Sequence, residues 1–108
     1  MNMRKALVKI HNIKAGILKE ESQTHYLFNY DLDYEGPPIS LTMPVREAGY
    51  EFKSFPPFFD GLLPEGIQLE GLLKIYKIDK KDYFKQLLVT GLDLVGAVTV
   101  EKINSPDE

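Results

Sequence analysis

Residues 55–66 read FPPFFDGLLPEG, and the chain changes character there. Pro56 and Pro57 lack backbone donors and fix φ, which argues against an interior strand or a helix across 55–59 and predicts an extended run or a tight turn. Asp60 is expected to cap a short turn through 61–63. Pro64 suits the first position of a following helix and Glu65 its first turn. That helix should run to about Lys77, with Leu69, Leu72, Leu73 and Tyr76 as a core-facing stripe at i, i+3, i+4, i+7. Gly66 and Gly71 each weaken it by ~1 kcal/mol relative to alanine.

Upstream of this segment the periodicity is that of strands. Residues 4–11 (RKALVKIH) alternate, with Ala6, Val8 and Ile10 on one side. Turn residues at 12–16 lead to a second strand at 16–21 (GILKEE). Ser22 and Gln23 connect it to a third, aromatic-rich strand at 25–30 (HYLFNY). The acidic, proline-bearing stretch 31–38 (DLDYEGPP) is a loop. Residues 39–43 (ISLTM) alternate as a fourth strand closed by Pro44, and 50–52 suit a short one. Downstream, Asp79 is expected to cap a helix over 80–90, with Asp82 in capping-box spacing and Phe84, Leu87 and Leu88 buried. Gly91 is placed for a left-handed C-terminal cap. Asp93–Leu94 then form a turn, and 95–102 (VGAVTVEK) a last strand in which Gly96 permits close packing. Strands first and helices after them predict an α+β fold: a small antiparallel sheet of about five strands with two main helices packed on it. Residues 1–103 form a single unit, and 104–108 a frayed tail.

Composition excludes several chemistries. The 108 residues carry a net charge of −3 and no cysteine. Thiolate catalysis and disulfides are absent, in keeping with a cytoplasmic setting. No apolar run reaches the ~20 residues of a membrane helix. Lys74, Lys77, Lys80, Lys81 and Lys85 cluster, but the overall acidity disfavours nucleic acid, so they read as a solvated face. None of the serines lies on a GxSxG elbow, and no phosphate-binding loop, HRDxxxxN or DFG occurs. His11 and His25 are too few for a metal site. Glu20/Glu21, Asp31/Asp33/Glu35 and Glu65/Glu70 lack the arrangement of a glycosidase pair or a calcium loop. No catalytic residue, metal or cofactor is expected. What stands out is the density of Phe, Pro and Leu in 55–66. On residue chemistry alone it is either a rigid cover over one end of the core or an exposed docking patch.

FPPFFDGLLPEG at 55–66, DYFKQLLVTG at 82–91 and DLVGAVTV at 93–100, in this order, resemble the N-terminal subdomain of HipA-type serine/threonine kinases. The resemblance spans about residues 3–103. Family kinases carry their catalytic core C-terminal to this subdomain, and the sequence ends at Glu108, so kinase activity is not implied. A free-standing version of the subdomain is the HipS antitoxin of tripartite HipBST toxin–antitoxin modules, alongside a truncated kinase toxin and a helix-turn-helix DNA-binding protein. Where the family often carries tryptophan after LLPEG, this chain has Ile67.

The resemblance implies a binding protein that neutralises a HipT-like kinase, with a HipB-like helix-turn-helix protein possible in the same complex. Its docking surface would comprise Phe55, Pro57, Phe58, Phe59, Asp60, Leu62, Leu63, Pro64, Glu65 and Ile67, with Phe58 and Phe59 as anchors. The alternative is an architectural subunit, supplied in trans, that completes the kinase without inhibiting it. A nucleic-acid-binding regulator is the third reading, against which the net charge argues.

Overall fold

The computed structural model describes residues 4–91 and 97–103. Five strands form one antiparallel sheet: β1 (Arg4–Ile10), β2 (Ile13–Ser22), β3 (His25–Tyr30), β4 (Tyr50–Phe52) and β5 (Val98–Lys102), in the order β4-β3-β2-β1-β5. Three helices, α1 (Pro57–Asp60), α2 (Gly66–Tyr76) and α3 (Tyr83–Thr90), lie between β4 and β5 in sequence. The expected α+β class stands.

Register follows from alternation. Ala6 pairs with Leu18 and Leu18 with Phe28, while Val8 pairs with Gly16 on one side and Val100 on the other. All face the core, so the sheet buries one side and leaves the other half-solvated. Phe59 from α1 and Phe84 and Leu87 from α3 fill the space above it.

Several local expectations are corrected. The β1–β2 turn is two residues, His11 and Asn12, both at positive φ (50° and 68°), a geometry that matches strand twist. Gly16 therefore lies inside β2 rather than in the turn. A Cβ there would come within 2.3 Å of the Asn29 carbonyl oxygen and 2.9 Å of the Phe28 ring. Residues 39–43 are not a strand but a tight turn bridged between Ser40 and Met43, with Leu41 97% exposed at its tip. Tyr30 holds it from below: its hydroxyl donates to the Met43 carbonyl and accepts from the Ile39 N–H at 2.9 Å. The period-2 pattern reflects Ile39 and Met43 both dipping into the core from one turn.

The helix boundaries also shift. α3 is capped by Asp82, whose Oδ1 accepts from the Lys85 N–H at 3.2 Å. Asp79 instead closes its own turn onto the Lys81 N–H at 2.8 Å. Gly91 is right-handed, at φ −58°, not a left-handed cap. Its Cβ would lie 1.9 Å from the Val100 carbonyl oxygen, so glycine is required for the close approach of α3 to β5. The expected turn at Asp93–Leu94, the packing role of Gly96 and the fraying of 104–108 lie outside the described residues.

Candidate partner-docking surface

The Phe-Pro segment splits into an inward and an outward part. Phe55 stacks edge-on against Tyr26 (5.6 Å, 88°) and lies 5.7 Å from Tyr83. Pro56, fully buried, is the extended N-cap of α1, and Pro57 takes the first helical position, where a missing N–H costs nothing. Residues 57–60 are thus a helical turn, not extended chain. The double proline starts the helix instead of preventing it. Backbone bonds then carry the turn onward, from Gly61 N to Pro57 O at 3.0 Å and from Leu63 N to Asp60 O at 3.2 Å.

Phe59 points straight into the core, 0% exposed, 6.0 Å from Phe28. It is a packing residue of the folded chain, so the expectation that it anchors a partner is corrected. Phe58, half-buried, packs edge-on against Phe59 at 5.1 Å, and Leu62 and Leu63 rest on the same cluster. Pro64 is half-buried. Pro57, Asp60 and Glu65 are exposed, and Ile67 is 87% exposed. The outward set is therefore Pro57, Asp60, Glu65 and Ile67, and the aromatic part is the cover over the core.

α2 itself departs most from expectation. Its N-cap, Glu65, is extended (φ −133°) with no side-chain cap, and Gly66 enters the helix at φ +61°, which only glycine adopts freely. It ends at Lys77 in the left-handed region (φ 55°), where the next N–H, from Ile78, returns to the Leu73 carbonyl at 3.0 Å and the Ile78 side chain is buried. None of the helix's eleven residues is buried. Leu69, Leu72 and Leu73 are only half-covered and lie apart from the buried core, and Tyr76 and Ile75 are exposed. The stripe expected to be core is a satellite of it. Ile75 went unrecognised in the sequence because its spacing from Ile67, i+8, falls off the Leu69–Tyr76 stripe.

A cleft of about 470 Å³ opens beside Phe55, between Tyr26 and Tyr83. Its floor is an ion network. Arg4 Nε donates to Glu20 at 2.6 Å, and its two Nη groups donate to Asp82 at 2.8 and 3.2 Å, while the Tyr26 hydroxyl donates to the other Glu20 oxygen at 3.1 Å. The guanidinium also lies 5.2 Å from the centre of the Phe84 ring. Burial favours neutral Asp82, but the Arg4 and Lys85 hydrogen bonds outweigh it and hold the carboxyl below its ordinary range. Burial, with Glu20 beside it, pushes the Tyr26 phenol up to about 12. Among the described residues no buried side-chain polar atom lacks a partner. The network ties β1, β2 and the α3 cap together and leaves no polar atom buried for a ligand to satisfy. No group of acidic, histidine or cysteine side chains with metal-binding geometry occurs among the described residues, and no described helix is long and apolar enough to cross a membrane.

Comparison with known proteins bears on this geometry. The family described as HipA N-terminal domain matches residues 6–101. An uncharacterized protein of Haemophilus influenzae is 30% identical over 100 residues, covering 93% of each chain. A solved structure, the N-terminal domain of HipA toxin, superposes with a TM-score of 0.73 at 28% identity, covering 94% of each chain. The sheet, the helices and the sequence match that fold along almost their whole length, and this chain belongs to the HipA N-terminal domain family.

Proposed function

We propose that this chain is a non-catalytic, antitoxin-type binding protein that docks on a HipA-like serine/threonine kinase and neutralises it, in the manner of HipS. The observation carrying this reading is α2: an eleven-residue helix with no buried residue and with Ile67 and Ile75 standing in solvent. Helices this short are marginal alone, and apolar side chains left uncovered at helical spacing mark a contact surface. In a family whose kinases carry this domain beside a catalytic core, the kinase is the natural cover. The Haemophilus influenzae relative supports a domain that acts on its own, since the match spans 93% of that protein. Docking uses Ile67, Glu65, Pro57 and Asp60 directly. Phe55, Phe58, Leu62, Leu63 and Pro64 support that surface from below, as Phe59 does from the core. A HipB-like helix-turn-helix protein in the same complex belongs to the same reading.

The test is reconstitution with a HipA-like serine/threonine kinase from the same organism. Wild-type chain should co-elute with the kinase and suppress its radiolabelled autophosphorylation. Ile67→Asp should melt like wild type yet bind about tenfold or more weakly. Binding without loss of phosphorylation would assign the architectural role instead, and absence of binding would reject both.

A further inference from the structure

α2 is joined to the domain at its two ends and hardly between them. Upstream, Leu62 and Leu63 pack on the core cluster, and the Leu63 N–H bonds back to the Asp60 carbonyl at 3.2 Å. Downstream, Ile78 is buried, and Gln86 of α3, 2% exposed, donates through Nε2 to the Lys80 carbonyl at 2.9 Å and to the Asp79 carbonyl at 3.4 Å. Between these anchors no residue of the helix is buried. Among the described residues, no side chain from 66 to 77 makes a hydrogen bond or an ion pair. Leu69, Leu72 and Leu73 are half-covered, and none of them belongs to the core cluster or to the residues packed against it.

The helix has little intrinsic stability to set against this. Its eleven residues fall short of the ~12–15 below which even alanine-rich helices are marginal in water. Gly66 and Gly71 disfavour it, no side chain caps its N-terminus, and its first hydrogen bond, from the Leu69 N–H to the Glu65 carbonyl, is long at 3.4 Å. Both ends turn through left-handed backbone, Gly66 at φ 61° and Lys77 at φ 55°, so single residues at the helix termini can absorb a change of direction. α3 differs on each count that matters: Asp82 caps it, and Phe84, Gln86 and Leu87 are buried.

We infer that α2 is a hinged strap, which opens as a unit between residues 66 and 77 while the sheet, α1 and α3 stay folded. Opening breaks the helix's own bonds and exposes three half-covered leucines, whereas opening the sheet uncovers Leu18, Phe28 and Phe59, each 0% exposed. The opening is a property of the free chain, whatever covers the helix in a complex. It has a regulatory consequence. A partner that needs α2 closed, as a kinase docked on this helix would, binds with an affinity scaled by the closed fraction. Changes that favour the helix then strengthen binding without adding a contact.

Amide hydrogen exchange of the isolated, isotope-labelled chain, read residue by residue by NMR, tests this. Amides of residues 70–76 should be protected less than about a hundredfold relative to the unfolded chain, and those bonded between β1 and β2 more than about ten-thousandfold. Urea below the unfolding transition should speed exchange in the sheet and leave that of α2 almost unchanged, because local opening uncovers little surface. Gly91→Ala, which pushes α3 off β5, should likewise speed sheet exchange about tenfold and leave α2 unchanged. Gly71→Ala should slow exchange in α2 about fivefold. Gly71→Pro should abolish the helix and keep the amide dispersion of β1, β2, β3 and α3. Equal protection in α2 and the sheet, or acceleration of both in parallel by urea, would mean that α2 unfolds only with the domain and would overturn the inference. Loss of the whole fold in Gly71→Pro would do the same. No kinase is present, so failure of the docking reading leaves these results untouched.

Discussion

Phe59→Ala separates the two roles that residues 55–66 can play. Phe59 is wholly buried, with Phe28 at 6.0 Å and Phe58 at 5.1 Å across tilted and edge-on ring pairs. Truncating a buried phenylalanine costs about 3–5 kcal/mol, the spread reflecting how far the cavity collapses. Collapse is restricted here. The Phe28 ring is held against Gly16 by the β2–β3 register, and α1 is tied at both ends by its backbone bonds. The upper half of the range, about 4 kcal/mol, follows. For a domain of this size that lowers the melting temperature by roughly 15–30 °C and removes much of a total stability of about 5–15 kcal/mol. Urea unfolding followed by far-UV circular dichroism suits a chain without tryptophan. With a slope of about 1–3 kcal/mol per molar, the midpoint should fall by about 2 M at unchanged slope. Ile67→Ala, in contrast, should stay within about 0.5 kcal/mol of wild type. A midpoint shift under about 0.5 M for Phe59→Ala, or an equally large cost for Ile67→Ala, would refute the division of the segment into core cover and exposed contact.

Two further outcomes follow from the packing and charges. Gly91→Ala drives a methyl into the Val100 carbonyl and should destabilise by about 1–3 kcal/mol, read as a drop in melting temperature; a neutral result would mean that α3 and β5 stand further apart. Arg4→Ala strands Glu20 and Asp82 and should cost about 2 kcal/mol at neutral pH, discounted because Arg4 is a third exposed. The Asp82 carboxyl is held below 3.8 in the fold, so its contribution is complete above that value and is lost as pH falls through the folded value. Acid titration of stability should therefore show a steeper fall below about pH 4 in wild type than in Arg4→Ala, and identical acid limbs would contradict the pairing.

The strands of 4–11, 16–21 and 25–30 were legible because alternation exposes its own face: Ala6, Val8, Ile10, Leu18, Tyr26, Phe28 and Tyr30 all turned inward as the period required. The α+β class and the family resemblance followed from the order of elements and from the 55–66 and 91–100 blocks. Residues 39–43 misled because two inward apolar residues four apart fit a turn as well as a strand, and only the Tyr30 hydroxyl decides between them. Asp79 and Asp82 are both good caps in sequence; the one that also meets Arg4 starts the helix.

The candidate surface shows the limit most clearly. Local chemistry determined that 55–66 is stiff and apolar and that a helix follows it. It could not say that Phe59 is the residue enclosed by the sheet, nor that α2, which carries an apolar stripe of its own, stays outside the core. Periodicity reports which side of an element is apolar, whereas burial depends on what the rest of the chain brings against that side. Here Phe28 meets Phe59, β5 meets α3, and no element of the described chain buries a residue of α2.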